Sequence, residues 1–348
     1  MTTDTSERPR RRHRGWRIFG WIGGAILAIV LVISIIGAIT PWPSAMLIRA
    51  VFTQGGEDAA AEMKRHVPDS PIGATLDIQY GGADDPDTTM DVFTNAGAGD
   101  VLPTIVWVHG GAWIAGSSGN VDPYLQILAS EGYTAVALNY SLGPEQVYPT
   151  AVNQLNTALH YIDENAAELG IDSSQIVLAG DSAGAQLASQ LAAIITNDRY
   201  AALLDVTPAL QPEQVVGIIL NCGVYDMPAM AELDGIVAWG LQTALWAYTG
   251  TKRWSASYQG STMSTIDFVT ADFPTTYISG GNGDGLTWLQ SIPMSGALRD
   301  AGVDVTELFW PAQHEPSLPH EYQFHLDMPD AQTALMATLD WLETVTTK

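Results

Sequence analysis

The chain has 348 residues, enough for one large α/β domain or two ordinary ones with a substantial core. Its formal net charge of −24 is unevenly placed: residues 1–17 hold six arginines against two acidic residues, and the remainder holds 8 basic against 36 acidic residues, a net −28. So acidic a body argues against nucleic acid or an anionic surface as its partner. The single cysteine, Cys222 in an apolar run, excludes an intramolecular disulfide and a multi-cysteine metal site.

In chain order, the basic tail 1–17 is followed by a run from Ile18 to Thr40 without one charged residue, long enough to span a bilayer. The run is longer than the core of a cleaved signal peptide and leads into Pro41-Trp42-Pro43 rather than a small-residue cleavage site, so 18–40 reads as a transmembrane signal anchor. Arginines before a span stay in the cytoplasm. The expected topology is therefore a single pass at the cell membrane, with the N-terminus cytoplasmic and the acidic domain extracytoplasmic. Residues 41–71 mix Trp42, Leu47, Ile48, Val51 and Phe52 with Arg49, Lys64 and Arg65, and read as a juxtamembrane linker that either lies in the interface or packs on the domain.

The globular domain is expected over 72–348. Short apolar or alternating runs at 74–80, 89–94, 104–109, 134–140, 175–180, 215–221, 275–279 and 304–310 predict eight strands. Helical patterns at 122–131, 150–168, 183–196, 287–301 and 330–345 alternate with the later strands, which predicts a mostly parallel sheet covered by helices, with an antiparallel start. Residues 223–274 form a long insert carrying Trp239, Trp246 and Trp254. Insertions of that length inside a domain are usually lids or binding elements, so Trp239 and Trp246, with Trp113 beside the first glycine-rich loop, are candidate substrate contacts.

Two loops carry chemistry. His109-Gly110-Gly111-Ala112-Trp113 follows a predicted strand, and the residues without bulky side chains can present backbone N–H groups to a developing oxyanion. Alone it is a tight glycine turn at a strand end. Gly180-Asp181-Ser182-Ala183-Gly184 lies between a strand and a helix, the setting of a nucleophile elbow, in which the serine hydroxyl is pushed clear of a strained turn. The other reading of Ser182 is a helix N-cap. The two loops together favour catalysis, with Gly110, Gly111 and the Ala183 N–H as the expected oxyanion hole.

These motifs, with Asn139-Tyr140-Ser141-Leu142-Gly143-Pro144-Glu145 and Tyr148-Pro149, resemble the α/β-hydrolase superfamily, in the carboxylesterase and lipase branch similar to hormone-sensitive lipase, over roughly residues 72–345. Ala112 departs from the third glycine of that branch's common loop. The resemblance implies an α/β-hydrolase fold, a serine hydrolase of carboxylic esters working through an acyl-enzyme, and no metal or organic cofactor. The fold's chain order of serine, acid, histidine points to Asp284 in Asn282-Gly283-Asp284-Gly285, with Asp226 as the alternative. For the base, His320 before Glu321-Tyr322 is favoured over His314, and His325 is expected to be structural. Asp181 is expected to anchor the elbow. Short to medium acyl esters are the expected substrates. Amide, formamide or peptide cleavage, or a non-catalytic interaction domain, are the alternatives.

Overall fold

The computed structural model describes residues 21, 22, 27, 35–82, 84–233 and 235–347. The basic tail and most of the run assigned to an anchor lie outside them; among the described residues no helix is long and apolar enough to cross a membrane. The strands are β1 Gly73–Gln79, β2 Thr89–Thr94, β3 Leu102–Val108, β4 Thr134–Leu138, β5 Ile171–Asp181, β6 Val215–Asn221, β7 Thr276–Gly280 and β8 Val305–Phe309. They form one sheet in the order β1-β2-β4-β3-β5-β6-β7-β8. The pairs β1·β2 and β2·β4 are antiparallel and every other pair is parallel.

The central strands are nearly unbroken apolar runs because both of their faces are covered. The helices that cover them are α1 Trp42–Met63, α2 Asp122–Ser130, α3 Thr150–Glu164, α4 Ala183–Thr196, α5 Gly235–Thr249, α6 Ile292–Asp300 and α7 Pro329–Val345. Alternate residues part to opposite sides. Val106, Leu178 and Ile218 pack with α3, α4 and α6, whereas Ile105, Trp107, Val177 and Ile219 pack with α2 and α7. The edge strand β1 is mostly exposed and breaks this pattern with Thr75, Asp77 and Gln79.

Two predicted helices are interrupted. The run 150–168 ends α3 at Glu164 and resumes as a single turn, Ala166–Leu169, closed by Gly170 at φ +69°. The run 287–301 opens with a wide π turn, Thr287–Ser291, where Pro293 has no N–H to give to the preceding turn.

Within residues 41–71, α1 packs on the folded body, one of the two placements open to this stretch. Ala45, Ile48 and Met63 are buried. Arg49 fixes the first half, donating from Nε to Ile114 O (2.5 Å), from Nη2 to Gly143 O (2.7 Å), and as a fork to the Glu145 carboxylate at 2.7 and 2.6 Å. At the other end Glu62 accepts from the Asp327 N–H at 2.9 Å and meets His325 Nδ1 at 3.1 Å. The longest helix of the insert, α5, packs against α1.

Because one guanidinium joins α1 to two separate loops, Arg49→Ala is expected to speed backbone hydrogen exchange across residues 42–63 while β3 to β6 keep their protection. Unchanged exchange in α1 would show that its apolar face alone holds it.

Candidate active site

Strand β5 ends at Asp181 and α4 begins at Ala183, so Ser182 alone makes the turn, at φ +52° and ψ −118°. An L-residue adopts that conformation only when its surroundings enforce it. Here neighbouring backbone does so. A Cβ on Gly180 would lie 2.5 Å from the carbonyl carbon of Gly184, and one on Gly184 only 2.0 Å from Val108 O, so both glycines are required for β5, α4 and the end of β3 to meet. The Ser182 N–H is held by Asn221 O at 2.8 Å.

His320 and Asp284 come to this turn from two loops beyond the later strands. The Ser182 hydroxyl lies 2.9 Å from His320 Nε2, and His320 Nδ1 lies 2.7 Å from Asp284 Oδ2. The carboxylate accepts, so Nδ1 carries the proton and Nε2 is left to accept from the serine. Asp284 is buried and takes a second bond from the Leu286 N–H at 2.9 Å. Asn282 staples the acid loop to the histidine loop, donating to His314 O and accepting from the Leu318 N–H, both at 2.9 Å. Sequence reasoning missed that role; an amide side chain two residues before the acid was its only trace.

Burial of the imidazole works against its protonation. The adjacent Cys222 sulfur and the Asp284 carboxylate work for it, and the net direction for His320 is upward from the usual 6.5. Asp284 decides this balance, because desolvation pushes the Cys222 thiol up to about 11 and keeps it neutral at pH 7.

The glycine-rich loop differs from expectation at one position. The Gly110 N–H donates to Asp181 Oδ2 at 2.8 Å and is therefore not available to an oxyanion. Asp181 also accepts from Trp107 Nε1 at 2.7 Å, tying the elbow to β3 and to the loop. The N–H groups of Gly111, Ala112 and Ala183 make no backbone or side-chain bond among the described residues and border the cavity or the elbow. Gly111 and Ala112, the two residues after Gly110, thus keep open N–H groups in this loop. Gly111 at φ +104° has no room for a Cβ, which would lie 2.2 Å from Ala115 O.

Glu321, also missed, sits at φ +57° with Oε1 3.6 Å from His320 Nε2. Burial first, and then the charge of Glu321, push Asp181 well above the usual carboxylate range, so a proton on Asp181 serves the contact between the two carboxyl groups. His109 is buried and stacked on Tyr140, and desolvation lowers it to about 4, which keeps the ring neutral and structural.

Other candidates are placed elsewhere. Trp113 is buried, donates to Gln186 Oε1 at 2.9 Å and stacks on Tyr248, so it supports the loop from behind and does not face the cavity. Trp246 packs on the core with Lys252 over its ring and is likewise outside the cavity lining. Trp239 does line it. His314 pairs with Asp330 at 3.0 Å against Trp310, away from Ser182. Asp226 caps the turn Met227–Met230 through the Ala229 N–H at 3.0 Å. Cys222, Asp284 and His320 offer ligand atoms within 4.8 Å of one another, but a cation there would have to displace the proton between His320 and Asp284.

Above the serine lies an apolar cavity of about 970 Å³, walled by the loop at His109–Ala112, by His320 and Glu321, and by α1 and α5. Solved structures with this architecture include esterase B from Lactobacillus rhamnosis (TM-score 0.70, 23% identity, 87% of this chain and 97% of that one) and the esterase LipW from Mycobacterium marinum (TM-score 0.67, 20% identity, 87% and 90%). The fold is that of the α/β hydrolases. The sequence pattern of the BD-FAE family matches residues 90–298, and the chain belongs to that family, among the α/β-hydrolase carboxylesterases related to hormone-sensitive lipase. Similar sequences include the carboxylesterase NlhH of Mycobacterium tuberculosis, 40% identical over 94 residues (27% of this chain), and the esterase LipQ of the same organism, 29% identical over 241 residues (66% of this chain). These matches span 30% of NlhH and 53% of LipQ.

Gly184→Ala drives a methyl into the Val108 carbonyl and is expected to cost about 1–3 kcal/mol or more of stability. Urea unfolding followed by circular dichroism checks this, and an unshifted midpoint would mean that the elbow is looser than its contacts indicate.

Proposed function

We propose that this protein hydrolyses carboxylic esters, with Ser182 as nucleophile, His320 as general base and acid, and Asp284 holding the imidazole. The observation that carries the reading is the run of two short hydrogen bonds, 2.9 and 2.7 Å, from Ser182 through His320 to Asp284 at the floor of an apolar cavity. His320 Nε2 takes the Ser182 proton as Oγ attacks the ester carbonyl carbon. The charge that develops on the carbonyl oxygen is met by the N–H groups of Gly111, Ala112 and Ala183. Collapse breaks the bond to the alcohol, which leaves with the proton from Nε2 and takes no electrons from any cofactor. Water then repeats the cycle on the acyl-enzyme, and the carboxylic acid departs. The cavity leaves room for acyl groups larger than the short and medium ones suggested by the sequence.

Nitrophenyl esters of increasing chain length, run beside the matching anilides, test the reaction class; turnover of anilides alone would sink the esterase reading. His320→Ala and Ser182→Ala are expected to lower kcat on the order of 10⁴-fold or more, whereas His314→Ala stays near wild type. The pH profile gives a second readout. Only neutral imidazole can act as base, so kcat/KM should rise with pH through a midpoint above 6.5, and Asp284→Asn, which removes the charge favouring imidazolium, should move that midpoint down. A wild-type midpoint below 6.5 would contradict the electrostatics described above.

We also propose that the uncharged run 18–40 anchors the protein at the cell membrane, with the arginines cytoplasmic and the catalytic domain outside. Protease added to intact cells should then remove the domain. Protection in cells with cleavage in inverted vesicles would reverse the orientation.

A further inference from the structure

The cavity mouth is built by α1 and α5, and several of the side chains that line it are also turned to solvent. Ile236 and Val237 of α5 are 82% and 70% exposed, and Leu47 and Val51 of α1 are each 63% exposed. Together with Phe52 and Trp239 they make one apolar rim around the opening that leads to Ser182. The chain reaches this rim directly from its most apolar stretch. Residues 18–40 contain no charge, only Pro41 lies between that run and the start of α1, and the Lys252 ammonium of the insert bonds to Ala38 O.

We propose that the cavity mouth is seated on a lipid bilayer, and that the acyl chain of the ester substrate passes from the bilayer between α1 and α5 to the serine. This rests on the esterase reading and assigns the substrate class: esters of long acyl chains held in membrane. Three features favour lipid over a second protein copy as the occupant. The rim begins about one and a half turns from the N-terminal start of α1, since Leu47 is five residues after Trp42, about 8 Å along the axis. The body is acidic at a net −28, which rules out attraction to anionic headgroups and leaves apolar insertion as the binding force. The cavity is large and apolar, and Gly55 of its long wall α1 borders it with nothing within 4 Å of where a Cβ would stand.

The test uses the full chain in phosphatidylcholine vesicles. A bimane fluorophore placed at Val237→Cys, with native Cys222 buried and unreactive, should be quenched by doxyl-labelled lipid, and the same fluorophore at Asp340→Cys on α7 should not. Equal quenching at both positions, or none at 237, would overturn the docking. The double variant Ile236→Asp/Val237→Asp should lower the ratio of kcat/KM for a vesicle-borne long-chain ester over a soluble short-chain ester by about tenfold. A ratio within twofold of wild type would overturn the route of entry. A wild-type chain that cleaves neither ester would sink the esterase reading alone, because the quenching pair decides the docking without catalysis.

Discussion

Three backbone segments converge within van der Waals contact at Ser182, and the geometry of the site follows from that contact. The end of β3, the turn after β5 and the first residues of α4 meet only because positions 180 and 184 carry no side chain. Once they meet, Ser182 is held at a positive φ that it would not adopt alone, and its hydroxyl is carried toward His320. The strain is thus borne by packing spread over a buried sheet, with the Ser182 N–H donating to Asn221 O and its carbonyl accepting from the Gln186 N–H.

Asp181 adds an electrostatic lock to that steric one. One carboxyl group accepts from Trp107 on β3 and from Gly110 in the glycine-rich loop, so the loop is registered against Ser182 by a group adjacent to it in sequence. Spending the Gly110 N–H in this way moves the open donors one residue on, to Gly111 and Ala112. Across the serine, Asp284 does the corresponding work for His320: its carboxylate accepts from Nδ1 and so fixes the tautomer of the ring. Two buried carboxyl groups flank the serine, and their different partners, N–H donors and a second carboxyl for one and a histidine for the other, separate their roles.

The N-terminal helix makes the cavity a shared product of distant segments. α1 contributes one wall, the insert contributes another through α5, and Arg49 holds the first to the loops that end near Gly143 and Ile114.

Read alone, the sequence determined what is local. The eight strands and five helices follow from periodicity, because alternation and 3.6-residue spacing record which face each element buries. The elbow and the glycine-rich loop are visible because their chemistry needs small residues at fixed, short spacing. Long-range choices were out of its reach. Nothing near Trp42–Met63 reveals its partners, since Arg49 bonds to residues 65 to 96 positions away. Which N–H groups of His109–Ala112 remain open depends on a carboxylate 71 residues further on, and Trp113 and Trp246 turn away from the cavity because the core offers them more contact. His314 and His320 stand on one loop with similar reach, and only the folded chain separates them. Asp330 engages the first, while Asp284, held by its own loop stapled through Asn282, engages the second. A spacing motif encodes contacts that the chain makes with itself over a few residues; the choice between two such residues belongs to partners that only folding brings near.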